Sequence, residues 1–82
     1  MRLDKYLKVS RIIKRRSVAA DACDAGKVLI NGKSSKASVS VKVGDEITVT
    51  LGANPITYEV LQIAETVGKE AAAQMTRIKG QP

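Results

Sequence analysis

Arg2, Lys5, Lys8, Arg11, Lys14, Arg15 and Arg16 put seven positive charges into the first sixteen residues, against the single negative Asp4. That stretch therefore holds a net +6, the whole formal excess of the 82-residue chain, and residues 17–82 are balanced. An even basic tint would serve solubility. Concentration in one segment builds a surface for a polyanion. Ammonium and guanidinium groups neutralise phosphates and release counterions, and a guanidinium can fork onto two phosphate oxygens. Lys27, Lys33 and Lys36, around the Asn31-Gly32 turn, extend the candidate patch.

Other chemistries find little material. The sequence has no His, one Cys and no cluster of ligands at metal spacing, so no catalytic residue, metal or cofactor is expected. Cys23, among Ala19, Ala20, Ala22 and Ala25, reads as a small packing residue. Asp4 reads as half of an exposed local ion pair with Lys5, Lys8 or Arg11, which would contribute little. With no Trp or Phe and only Tyr6 and Tyr58, stacking on unpaired bases is a poor mode of recognition. Tyr58 reads as packing. Folded RNA, read by backbone and shape, fits the composition better.

Two short helices must position these charges. Leu3, Tyr6 and Leu7 share one arc of a first helix, with Arg2, Lys5 and Lys8 opposite. A break near Ser10 is followed by a second apolar patch, Ile12 and Ile13. The second helix runs to about Ala25, with Val18, Ala22 and Ala25 on its inner face. It starts at an N-cap Ser17 or earlier, near Arg15, and Gly26 stops it. Arg16 then stands where open amides also favour an anion. Lys27 to Asn31 reads as a strand leading into the tight turn Asn31-Gly32. Ser34 to Val43 is a polar, extended crossing, and Gly44-Asp45 turns into a strand from Glu46 to Leu51. After a turn at residues 52–55 comes a strand through Ile56, Tyr58, Val60, Leu61 and Ile63. A short helix from Lys69 to Gln74 and an edge segment from Met75 to Ile78 close the chain.

The expected class is α+β: two N-terminal helices packed on a small, mostly antiparallel sheet, with a short C-terminal helix. Residues 1–79 form one domain with a small aliphatic core, and residues 80–82 fray. No run of apolar residues is long enough for a membrane span, and no apolar run or cleavage site follows the basic start, so a cytoplasmic protein is expected.

Set in this order, the residues resemble the RNA-binding domain named after ribosomal protein S-four. Arg2-Leu3-Asp4-Lys5-Tyr6-Leu7 opens as that family opens. Arg16-x-x-Ala19, Gly26-Lys27-Val28-Leu29-Ile30-Asn31-Gly32 and Val43-Gly44-Asp45-x-Ile47 follow at fitting spacing. Two departures stand out. Arg15 occupies the place of the usual Ser or Thr, and Ala22-Cys23 replaces a Leu-Ile pair, which implies a second helix closer to the sheet. The chain is most similar to the small free-standing bacterial members of ribosome-associated quality control, related to heat-shock ribosomal RNA-binding proteins. The resemblance implies a non-enzymatic, monomeric RNA-binding factor. Its partners would be ribosomal RNA of the large subunit, peptidyl-tRNA, and a factor that delivers alanyl-tRNA for C-terminal alanine tails on stalled chains. Alternatives are heat-shock-type recycling of blocked large subunits, or RNA delivery for a modifying enzyme. Arg-Leu-Asp also surrounds the catalytic aspartate of pseudouridine synthases, but here no catalytic domain follows it. A DNA-reading helix-turn-helix is disfavoured by the Ala-rich second helix with Asp21 and Asp24.

Overall fold

In a computed structural model, which describes residues 1–50, 52–64 and 68–80, α1 (Leu3–Val9) turns Leu3, Tyr6 and Leu7 fully into the core. Each such side chain contributes roughly 1.5–3 kcal/mol through burial. Three amides at the start of α1 need partners outside the helical ladder. Leu3 N–H donates to the Val39 carbonyl (2.8 Å), Asp4 N–H to the Ala37 carbonyl (3.2 Å), and Lys5 N–H to Asp4 Oδ1 (2.7 Å). The helix stops after Ser10 because Arg11 takes a left-handed conformation (φ 64°), its N–H donating to the Lys8 carbonyl. Ile13 is then buried and Ile12 packs on the core, as the sequence pattern predicts.

The second helix, α2 (Arg16–Asp24), has Arg15 rather than Ser17 at its N-cap. Its buried arc is Ala19, Ala22 and Cys23, one position away from the expected Val18, Ala22 and Ala25. Val18 and Ala25 are exposed. The buried side chains are all small, and α2 packs directly on α1. Gly26 (φ 79°) ends it in a Schellman arrangement, with Gly26 N–H to Cys23 O (3.0 Å) and Lys27 N–H to Ala22 O (2.9 Å).

β1 (Val28–Ile30) and β2 (Lys33–Ser34) form a hairpin through Asn31 (φ 51°) and Gly32 (φ 83°), the pair of positive φ values that a tight twisted turn needs. The expected crossing therefore begins with a two-residue edge strand. Beyond it Ala37 and Val41 are buried, Ser40 bridges to Arg2, and Val41 N–H donates to the Met1 carbonyl (2.8 Å). The crossing is thus laced to the beginning of α1. Asn31 also fastens the Gly44-Asp45 turn: its Nδ2 donates to Asp45 Oδ1 (3.2 Å), and its Oδ1 accepts from Glu46 N–H (3.0 Å).

β3 (Glu46–Val49), β4 (Ile56–Val60) and β5 (Thr76–Gly80) complete an antiparallel sheet of order β2-β1-β3-β4-β5. Val28, Ile30, Ile47, Val49 and Val60 face the helices and share their core. The other face carries the Thr48–Thr57 hydroxyl pair (2.9 Å) and the ion pairs Arg77–Glu59 and Lys79–Glu46. The strand expected to reach Ile63 ends at Val60. Leu61 and Gln62 instead turn their amides onto the Met75 carbonyl, at 2.7 and 3.2 Å. Met75 is fully buried after α3 (Lys69–Ala73), and its carbonyl also accepts from the Tyr6 hydroxyl (3.0 Å). Gly80, expected to fray, lies opposite Thr57 at the end of β5, and residues 81–82 are outside the described residues.

Candidate nucleic-acid interface

The basic residues of the first stretch lie on α1, on the turn after it and on the start of α2. Arg2, Lys8, Arg11, Lys14, Arg15 and Arg16 are exposed, and Lys5 is half-buried. Their setting differs from that of Arg77 and Lys79, which have carboxylate partners. Among the described residues, Lys8, Arg11, Lys14 and Arg15 enter no ion pair. The start of α2, which Lys14 and Arg15 directly precede, is open. The N–H groups of Arg16, Ser17 and Val18 donate to no acceptor among the described residues, and no acidic side chain stands in the first turn. Open amides and unpaired cations reinforce one another as an environment for anionic oxygen.

Asp4 corrects the sequence reading. It is not an exposed partner of Lys8 or Arg11 but a buried carboxylate, its side chain 5% exposed. Arg2 Nε donates to Oδ1 (3.2 Å) and Arg2 Nη2 to Oδ2 (3.3 Å), while Arg16 Nε lies 3.4 Å from Oδ2. Burial pushes the Asp4 carboxyl up. Hydrogen bonds from Arg2 and the Lys5 amide, with the neighbouring Arg16, outweigh that and hold it below its ordinary value of 3.8. One carboxylate therefore ties the first turn of α1 to the first turn of α2. A single acid within a basic run looks like surface charge. Its distant partners, Arg16 and the Ala37 carbonyl, lie too far along the chain for local pattern to reveal.

The three later lysines are exposed but do not gather around the Asn31-Gly32 turn. Lys33 alone follows it. Ser35 N–H donates to the Val28 carbonyl (3.2 Å), so the chain has run back along β1 by then. Lys36 thus comes to the Lys27 end of the hairpin, one residue from the Ala37 carbonyl that receives Asp4 N–H. Lys36 extends the face built on α1 and α2, whereas Lys33 marks a separate corner.

Among the described residues, no other reactive or metal-binding group competes as a site. Cys23 is buried and its thiol is pushed up to about 11, by burial first and by Asp4 and Asp24 next, so it stays protonated at neutral pH. No group of three or more His, Cys, Asp or Glu suited to a metal ion occurs among the described residues. Among those residues, no helix is long and apolar enough to cross a membrane.

Known proteins resemble this chain over most of its length. The S4 domain family model matches residues 1–47. The RQC P-site tRNA stabilizing factor of Bacillus subtilis is 51% identical over 78 residues, covering 95% of this chain and 91% of that protein. The heat shock protein 15 homolog of Aeromonas salmonicida is 39% identical over 75 residues, which is 92% of this chain but 57% of its own length. Among solved structures, trimeric heat shock protein 15 of Vibrio cholerae superposes with a TM-score of 0.89 at 36% identity, covering 96% of this chain and 81% of that one.

Proposed function

The chain belongs to the S4 domain family, and on that premise we propose that it is an RNA-binding factor of ribosome-associated quality control, without catalytic activity of its own. Cations without carboxylate partners around the open start of α2 carry this reading. Relatives named as P-site tRNA stabilizing factors, matched over nearly their whole length, supply the setting. In that setting the protein is cytoplasmic and acts as a monomer on large ribosomal subunits that hold peptidyl-tRNA. The face made by Arg2, Lys5, Lys8, Arg11, Lys14, Arg15 and Arg16 grips phosphates of ribosomal RNA or tRNA. Lys27 and Lys36 widen that face, and Lys33, at its separate corner, adds a second, weaker contact, which raises affinity through effective concentration once the first is made. An alanyl-tRNA-delivering factor then extends the stalled chain with alanine.

The test is co-sedimentation with large subunits prepared with and without peptidyl-tRNA. The parent protein should prefer the tRNA-bearing particles. Lys33→Ala should reduce that preference more than basal binding, whereas replacing Lys27 and Lys36 by Ala should weaken binding to both particles. Equal binding of the parent to both particles would leave a general ribosomal RNA binder. The likeness to heat shock protein 15 supports a second reading, recycling of blocked large subunits. Deletion separates the two: loss of alanine tails on stalled chains marks quality control, and accumulation of blocked subunits with tails intact marks recycling.

A further inference from the structure

Asp4 is the only negative charge in the basic stretch, and counting charges says that removing it should strengthen attraction to RNA. The geometry points the other way. We propose that Asp4 is a positioning residue for RNA binding, holding the Arg2 and Arg16 guanidiniums as one pre-aligned clamp for phosphate oxygens. The proposal rests on the RNA-binding reading above and deepens it.

Three observations carry it. Asp4 is buried while the two arginines it holds are half-exposed, their side chains at 54% and 47%. The carboxylate therefore forms the floor of the site and the guanidiniums its rim. Asp4 itself is fixed before any ligand arrives. Its own N–H is held by the Ala37 carbonyl, and its Oδ1 accepts the Lys5 amide at 2.7 Å. Arg16 approaches it by Nε, 3.4 Å from Oδ2, and among the described residues that guanidinium has no second carboxylate partner. Arg2 uses Nε and Nη2 and keeps Nη1. A long arginine side chain loses rotamer freedom when it binds phosphate, and a buried carboxylate that has already ordered it removes part of that cost. A lysine in either place could supply the charge but not a fork held at one nitrogen and presented by the others.

The experiment measures affinity for isolated large ribosomal subunits at low and high salt, with the folded fraction of every variant established by circular dichroism. Asp4→Asn raises the net charge by one. It should nevertheless weaken binding on the order of tenfold, the scale of a lost charged hydrogen bond. Arg16→Lys keeps the charge at an exposed position and should bind nearly as poorly as Arg16→Ala. In an Arg2→Lys/Arg16→Lys background, Asp4→Asn should cost nothing more, a result that a purely structural Asp4 would not give. If Asp4→Asn does not fold, Arg16→Lys alone decides the matter. Binding of Arg16→Lys equal to the parent, or of a folded Asp4→Asn equal or tighter, overturns the clamp. Failure of Arg16→Ala to weaken binding would instead overturn the RNA-binding face itself.

Discussion

Only the six residues 10–15 join the two helices, yet their first amides meet opposite fates. At α1 the Leu3, Asp4 and Lys5 N–H groups are taken by the Val39 and Ala37 carbonyls and by Asp4 Oδ1. At α2 the corresponding groups of Arg16, Ser17 and Val18 have no acceptor among the described residues. Both starts lack a side-chain N-cap, so cap residues do not explain the contrast. What separates them is the crossing at residues 37–41, which lies along one start and not the other. The sealed start is scaffold. The open one, ringed by Lys14, Arg15 and Arg16, is where the fold leaves donors for something outside itself.

The harshest way to break the contrast is to unseat α1. Leu7 has no exposed surface, so Leu7→Ala should destabilise the domain by about 2–5 kcal/mol, a large part of what so small a core supplies. Thermal melting checks this, and unchanged melting would mean that the sealed helix is not the scaffold. Next comes the open start. Arg15→Ala/Arg16→Ala should keep the fold, since Arg2 and the Lys5 amide still hold Asp4, at some loss of stability, and should lose two phosphate contacts. The slope of log affinity against log salt should then shallow by roughly 1.4–1.8, with the loss of binding smaller at high salt. A deficit that did not shrink as salt rose would show that these arginines act otherwise.

A gentler cut is Tyr6→Phe. The Met75 carbonyl keeps the Leu61 and Gln62 amides, so only the hydroxyl bond is lost, at about 0.5–1.5 kcal/mol. Burial pushes the Tyr6 hydroxyl up from 10.0 to about 12. Because the folded value is the higher one, Tyr6 contributes stability that is complete below pH 10 and lost as pH climbs toward 12. Denaturant titrations should show that alkaline loss in the parent and less of it in Tyr6→Phe, where the Cys23 contribution remains. Asp4 has the opposite sign. Its carboxyl is held below 3.8, so its contribution is present above that pH and disappears as pH falls through the lower folded value. Acid titration of Arg16→Ala, which removes one cause of the lowering, should show less of this loss than the parent. The smallest effect is expected at Arg77, paired with Glu59 on the far face of the sheet. Arg77→Ala should leave affinity for large subunits unchanged, and any weakening would place RNA on that face as well.

Much of this was legible in the chain. The apolar arc of α1, the turns at Asn31-Gly32 and Gly44-Asp45, and the concentrated charge all announce themselves within a few residues, because they depend on local periodicity and on φ preference. The register of α2 did not. Its inner arc is set by how closely Ala19 lets it approach α1, which is a tertiary matter. The end of β4 was hidden for a similar reason, since the Met75 carbonyl that draws in Leu61 and Gln62 lies more than a dozen residues further on. Asp4 was the largest miss. Propensity places an acid near two cations on the surface, and only the crossing at residues 37–41 makes that place an interior.

The bond from Tyr6 to the Met75 carbonyl, spanning 69 positions, has a consequence for the order of events during synthesis. A ribosome releases its product from the N-terminal end, so α1 and its cations emerge first, and α2 and the hairpin follow. The hydroxyl that belongs under α1 must wait for an acceptor near the far end of the chain. Until then an emerging chain carries an exposed strip of Leu3, Tyr6 and Leu7 beside a dense positive charge. Such a nascent segment keeps its apolar strip uncovered until residue 75 has been made.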